Sequence, residues 1–249
     1  MKLKTDIIIQ ARMGSGRLPG KVMKNLCGYP MLYHVVKRAR GAVLADDVVV
    51  ATTVLKQDDV VEKFCAENGI KYFRGSEEDV LDRYYSTAKC FDSDIIVRVT
   101  SDCPLIDPTI IDECIKKFAE HKGVDYLSNI SIRTFPRGLD TEVFSFKALE
   151  IAHKNAEEKY EREHVTPYIW ENKKGEFKIG EPVEASDEYR RDYRLTVDYG
   201  EDFQLVAEIY KALYNGSGII NVKDALLFLD KNPEIASINA HCEQIALKP

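Results

Sequence analysis

The sequence predicts an α/β fold, with a parallel sheet covered by helices on both faces. Three observations carry this. Short β-branched runs alternate with amphipathic helical patterns through the first half of the chain. The runs lack polar alternates, as suits strands buried on both sides. The length, 249 residues, is enough for one sizeable core.

Ile7-Ile8-Ile9 marks the first strand, and a glycine-rich loop from Ala11 to Lys21 follows it. Pro30 opens a helix in which Met31, Leu32, Val35, Val36 and Ala39 share one stripe, with Lys37, Arg38 and Arg40 opposite. Val48 to Thr52 is the next strand, and residues 57–68 read as a helix stopped by Asn68-Gly69. Lys71-Tyr72-Phe73 is a short strand before a helix over about 79–91. Ile95 to Thr100 is another strand, ending at Asp102, and Asp107-Pro108 starts a helix to about His121. The second half is less regular. Residues 124–144 read as strands and turns, 145–159 as a helix, and 162–173 as a shorter helix with the only tryptophan, Trp170. Extended pieces are expected near 177–184 and 191–198, and helices over 201–214 and 222–230. No Pro/Gly/Ser linker divides the chain, so residues 1–249 are expected to form one domain, with 124–192 as a substrate-side elaboration.

Composition excludes several classes. Apolar residues at 45% and charged residues at 31% argue against disorder. No apolar run approaches the roughly 20 residues of a membrane span, and residues 1–10 are too short an apolar run for a signal peptide. The six cysteines contain no Cys-x-x-Cys pair, and the histidines do not cluster near them. A reducing, cytoplasmic compartment is expected, without a disulfide scaffold or structural zinc. Cys103 lacks a nearby histidine and reads as a buried small hydrophobe. With 35 basic and 41 acidic residues the net charge is −6, which disfavours a surface that coats nucleic acid but leaves room for a local basic pocket.

The loop Arg12-Met13-Gly14-Ser15-Gly16-Arg17 leaves the C-terminal end of the first strand, where open α/β sheets bind ligands. Glycine permits close backbone approach, Ser15 adds a hydroxyl, and Arg12, Arg17 and Lys21 place three cations around one turn. This suits a triphosphate and the charge that develops at a phosphorus under attack. A dinucleotide loop would read Gly-x-Gly-x-x-Gly. Gly14 to Gly20 is one residue too long for a P-loop, and Val22 follows Lys21 where Ser or Thr is needed. The alternative is a flexible basic surface loop.

Asp102 and Asp198 each end an expected strand. If those strands run the same way, two hard oxygen ligands meet at the loop and could hold Mg²⁺ against phosphate. The alternative for Asp198 is to cap the helix that follows. Phe73-Arg74-Gly75-Ser76 directs further groups toward the same edge, with Arg74 able to meet phosphate or a base. Asp82 and Arg83 could form only local helix ion pairs. Arg137, Asp140 and Glu142 could select an anionic or hydroxyl-rich acceptor, or form a charged surface turn. His164 could contact the acceptor or move a proton, or be an ordinary half-buried histidine. Tyr168 and Trp170 read as core and not as a stacking platform.

Ala11-Arg12-Met13-Gly14-Ser15-Gly16-Arg17-Leu18-Pro19-Gly20-Lys21 resembles the CTP-binding signature of the cytidylyltransferase superfamily, which includes the enzymes that activate 3-deoxy-manno-octulosonate and acylneuraminate. Phe73 to Tyr84, Arg98 to Pro104, Arg137 to Glu142, Glu163 to Tyr168 and Leu195 to Asp202 extend the likeness along the chain, which looks most like the SpsF-type spore-coat polysaccharide branch. The resemblance implies a three-layer α/β/α, nucleotide-diphospho-sugar-transferase-like fold with a mostly parallel mixed sheet. It implies Mg²⁺-dependent transfer of CMP from CTP to a sugar, sugar acid or sugar phosphate. Ala11, Arg12, Met13, Gly14, Ser15, Arg17 and Lys21 would bind the nucleotide, with Arg74, Gly75 and Ser76 near the nucleoside. Arg17, Lys21, Asp102 and Asp198 would carry catalysis, and the two aspartates would bind metal. Ser101-Asp102-Cys103-Pro104 departs from the Gly-Asp of related members but keeps the aspartate. The expected partners are small molecules, without nucleic acid or membrane, and a homodimer remains open. A sugar-nucleotide-dependent glycosyltransferase and a non-catalytic nucleotide-binding protein are the alternatives.

Overall fold

A computed structural model describes residues 2–244 of the chain. Its main sheet has six strands in the order β5-β4-β1-β6-β8-β7. These are β1 (Thr5–Gln10), β4 (Asp47–Thr53), β5 (Lys71–Gly75), β6 (Ile95–Thr100), β7 (Tyr126–Ser128) and β8 (Glu142–Ser145), with β2 (Asn25–Leu26) and β3 (Tyr29–Pro30) as a small separate hairpin. β5, β4, β1 and β6 are parallel, and β8 runs antiparallel to both β6 and β7. The sheet is therefore mixed and mostly parallel.

The isoleucine run explains the layers. Side chains alternate along a strand, so Ile7 and Ile9 enter one core while Ile8 enters the other. On the first face lie α1 (Met31–Ala39), α2 (Asp59–Glu67), α4 (Pro108–Glu120), α8 (Gly200–Leu213) and α9 (Val222–Lys231). The second face carries α3 (Val80–Cys90), α5 (Phe146–Asn155) and α7 (Pro167–Glu171). The result is the expected three-layer α/β/α arrangement. No helix among the described residues is long and apolar enough to cross a membrane.

Two expectations in the second half change. The helix expected over 145–159 stops at Asn155, because Glu158 and Glu161 form a capping box that starts α6 (Lys159–His164). The helix expected over 162–173 is split at Val165, whose φ is +74°, with Pro167 starting α7. The extended pieces form single bridges, Tyr126 to Ile179 and Arg137 to Arg194, and not full ladders.

The chain moves from β1 outward through β4 to β5 and then returns to β6 on β1's other side. Ligands bind at such a switch point, beyond the carboxyl ends of the strands. Gln10 is paired with Thr100, so the loops after β1 and β6 leave side by side.

His34 sits behind this edge, buried among Tyr29, Tyr33, Tyr210 and Tyr214. Its Nε2 lies 2.7 Å from the Leu26 carbonyl. Burial pushes the imidazole pKa down against that hydrogen bond, and Lys37 and Arg38 add to the fall. The unfolded chain therefore binds this proton more readily, and stability drains away as pH falls below about 6.5. The melting temperature should fall between about pH 7 and pH 5.5. That slope should be shallower in His34→Gln, as thermal melts across the range would show.

Candidate active site

The loop after β1 is tied down at Met13. Met13 N–H donates to Asp58 Oδ1 at 2.6 Å, while its carbonyl accepts from Ser15 and Gly20 N–H, each at 2.9 Å. Gly20 takes a left-handed φ of +70° and turns the chain into a short 3₁₀ helix, Lys21–Met23. That turn aims Lys21 inward. Its ammonium donates to the Val197 carbonyl at 2.7 Å, Asp198 Oδ1 at 3.1 Å and Asp102 Oδ2 at 3.2 Å.

The two aspartates arrive on neighbouring segments joined by Val197 N–H donating to the Asp102 carbonyl at 2.8 Å. Neither caps a helix. Asp107 caps α4 through Thr109 N–H, and Asp202 accepts from Tyr199 N–H at the start of α8. The Asp198 carboxylate instead pairs with Lys21, with Arg17 at 2.8 Å and with Arg194 at 2.7 Å. The Arg17 guanidinium also lies 5.0 Å from the Tyr199 ring centre.

Charge organises this cluster. Burial alone would lower the Lys21 pKa, but Asp102 and Asp198 outweigh it and raise the value. Burial likewise works to raise the Asp102 pKa, but Lys21 and the Thr100 hydroxyl bring it below the usual carboxylate range. Asp102 and Asp198 converge beside Lys21 and offer hard oxygen donors of the kind a divalent ion takes. Glu201, His241 and Cys242 also lie within reach of a shared ion, but none lines the clefts described here.

A cleft of about 330 Å³ opens over the cluster. Of the residues expected at the site, Ala11, Arg12, Gly14, Ser15, Arg17, Lys21, Asp102 and Asp198 line it. Met13 does not; its side chain packs beneath Gly20 and its backbone holds the loop. Arg74, Gly75 and Ser76 do not line it either. Arg74 points toward α2, where it bonds Asp59 Oδ1 at 2.8 Å, Glu62, and the carbonyls of Thr53 and Leu55. Gly75 packs on the Arg83 side chain, and Ser76 turns its carbonyl to Arg83 Nη1 and its hydroxyl to Asp79 N–H. This segment supports Arg83, which lines the cleft. Asp82 faces away and meets His153 at 2.9 Å.

A larger cavity of about 930 Å³ adjoins the cleft. Arg137, Asp140 and His164 line it, with Asp140 gripped by Arg133 at 2.5 and 3.1 Å. Glu142 does not line it. It lies buried below, where it pairs with Arg98 and accepts from Tyr126 OH at 2.8 Å and Thr166 Oγ1 at 2.6 Å. Cys103 is buried, which raises its thiol pKa, as suits a small hydrophobe.

Arg83, Arg98, Arg133 and Arg194 were not among the expected site residues. Two carried a signal. Arg98 interrupts the apolar run of β6, and Arg83 falls on the buried stripe of α3 beside Val80 and Tyr84. A charge at an apolar position needs a partner or a ligand.

A phosphate-sized cationic loop and paired carboxylates at the switch point of a three-layer sheet define a nucleotide-handling α/β protein. The sequence profile of the cytidylyltransferase family matches residues 7–223, and the chain belongs to that family. It is 43% identical over 241 residues to an uncharacterised protein of Methanocaldococcus jannaschii, covering 95% of each chain. It is also 36% identical to the spore coat polysaccharide biosynthesis protein SpsF of Bacillus subtilis, over 92% of this chain and 95% of the other. A solved cytidylyltransferase structure from Leptospira borgpetersenii superposes with a TM-score of 0.87 at 36% identity, over 98% of this chain and 100% of the other. A CMP-2-keto-3-deoxy-manno-octonic acid synthetase complexed with CTP shares the fold, with a TM-score of 0.64 at 20% identity, over 84% of this chain and 99% of the other.

One glycine lets the Arg137–Asp140 segment pack against the strand-end segment that leads to Asp198. Gly138 has φ +100°, and a Cβ there would lie 2.6 Å from backbone atoms of Leu195 and Thr196. Gly138→Ala should cost about 2 kcal/mol or more of folding stability and lower the melting temperature by several degrees. An unchanged melt would contradict this close approach.

Proposed function

We propose that this chain transfers CMP from CTP to a sugar, sugar acid or sugar phosphate and releases pyrophosphate, with Mg²⁺ at Asp102 and Asp198. The observation that carries the reading is the Lys21 ammonium set among Asp102, Asp198 and Val197, directly beneath the Arg12–Arg17 loop. The family match supports the CTP donor. Similarity to the Bacillus subtilis protein supports a role in making surface-polysaccharide precursors, as in the SpsF-type branch.

An acceptor oxygen attacks the α-phosphorus in line with the leaving group. The new P–O bond forms as the bond to the β-phosphate's bridging oxygen breaks, and pyrophosphate departs. Arg12, Ser15 and the loop backbone hold the triphosphate, while Arg17 and Lys21 neutralise charge developing on it. Asp102 and Asp198 would hold the metal, whose role would be to polarise the phosphate oxygens. Arg137 and Asp140 contact the acceptor in the larger cavity. His164 lines both cavities, and burial lowers its pKa, so it is neutral near pH 7 and able to take a hydroxyl proton.

A screen for pyrophosphate release with CTP, Mg²⁺ and a panel of sugar acids and sugar phosphates tests the reaction. Release of a nucleoside diphosphate from an activated sugar would instead mark a glycosyltransferase. Lys21→Ala should lower turnover by about 10²-fold or more while weakening resting CTP binding far less. Equal losses would remove its transition-state role. Asp198→Asn should raise the Mg²⁺ concentration needed for half-maximal rate, and an unchanged Mg²⁺ titration would count against Asp198 as a ligand.

A further inference from the structure

Asp198 does not hold its own orientation. Its Oδ1 faces Lys21 and Arg17, whereas Oδ2 accepts from Arg194 Nη2 at 2.7 Å. The Arg194 side chain is mostly buried and donates from each of its three nitrogens. Nε donates to Asp202 Oδ1 at 3.0 Å and Nη1 to Gln244 Oε1 at 2.6 Å. Asp202 is wholly buried. Its Oδ2 accepts from the N–H groups of Asp198 and Tyr199 at 2.9 and 3.0 Å. Asn239 closes the ring, donating to Asp202 Oδ1 at 2.8 Å and to the Arg194 carbonyl at 2.9 Å.

We infer that Arg194, locked by Asp202 and Asn239, is a positioning residue that reserves one oxygen of Asp198 for the protein and presents the other to the metal. The inference rests on the reading of Asp198 as a metal ligand. A planar guanidinium can fix two carboxylates in one mutual orientation, which an ammonium cannot. Partners in the shell behind a ligand set its aim and typically change metal affinity by about 10–100-fold when lost. The same ring reaches the C-terminal segment: Asn239 and Gln244 lie more than 40 residues beyond Asp198 in sequence, Gln244 accepting from the Arg194 guanidinium and Asn239 donating to Asp202 and the Arg194 carbonyl. Residues 239–244 thus belong to the site's support.

The test compares CTP binding by calorimetry in EDTA and in Mg²⁺, which requires no acceptor. In the wild-type chain Mg²⁺ should tighten CTP binding. In Arg194→Lys that tightening should shrink by about tenfold or more, while binding in EDTA changes less than about threefold. Asn239→Ala leaves every charge in place and should give a smaller loss of the same kind, which keeps the test open if Arg194→Lys fails to fold. Equal weakening with and without Mg²⁺, or an undiminished Mg²⁺ effect in both variants, would overturn the positioning role alone. Failure of the wild-type chain to bind CTP under either condition would overturn the cytidylyltransfer reading and this inference with it.

Discussion

The Lys21 ammonium is the point on which the site's geometry depends. It binds three oxygens from two segments that lie about 80 and 180 residues away in sequence. Around it, Lys21, Arg17 and Arg194 face Asp102, Asp198 and Asp202, three cations against three carboxylates. Burial disfavours each charge taken singly. Their mutual attraction offsets that burial, so removing one leaves the others without its compensation. A chain of net charge −6 thereby keeps a compact cationic loop whose charges are balanced locally by carboxylates.

The fold was legible because its strands are buried on both faces. Ile7, Ile8 and Ile9 lie in a continuous apolar run, and that continuity is what three layers require. Lys21, Asp102 and Asp198 were legible for a related reason: parallel strands end at one edge, so residues just past them converge. Arg74 marks the limit. It too follows a strand, but a strand's two faces look alike in a sequence when both are covered. Its side chain went to Asp59 and Glu62 on α2. Glu142 was misplaced for the same reason, being turned down onto Arg98.

Arg194 could not have been assigned from spacing. Its partners Asp198 and Asp202 are close in sequence, but Asn239 and Gln244 come from the far end of the chain. Neither periodicity nor strand-end logic anticipates a contact between irregular segments. The parallel bridge from Arg137 to Arg194 is of this kind too, and it depends on Gly138 having no Cβ.

Under the proposed reading, that bridge would tie acceptor recognition to the reacting centre. The smaller cleft and the larger cavity share Arg17, Asp102, His164 and Asp198 among their lining residues, so they form one continuous space with both carboxylates on the common wall. Groups that would recognise an acceptor, Arg133, Arg137 and Asp140, lie only on the larger side. Those that would grip a triphosphate, Arg12, Ser15 and Lys21, lie only on the smaller. The backbone of Arg137 is hydrogen-bonded to Tyr193 and Leu195, on either side of Arg194. An acceptor that displaced the Arg137 segment would therefore pull on the residue that aims Asp198. Under the proposed reading, recognition on one side and alignment on the other would share this one backbone connection, and a change in the Arg137 segment would be felt at Arg194.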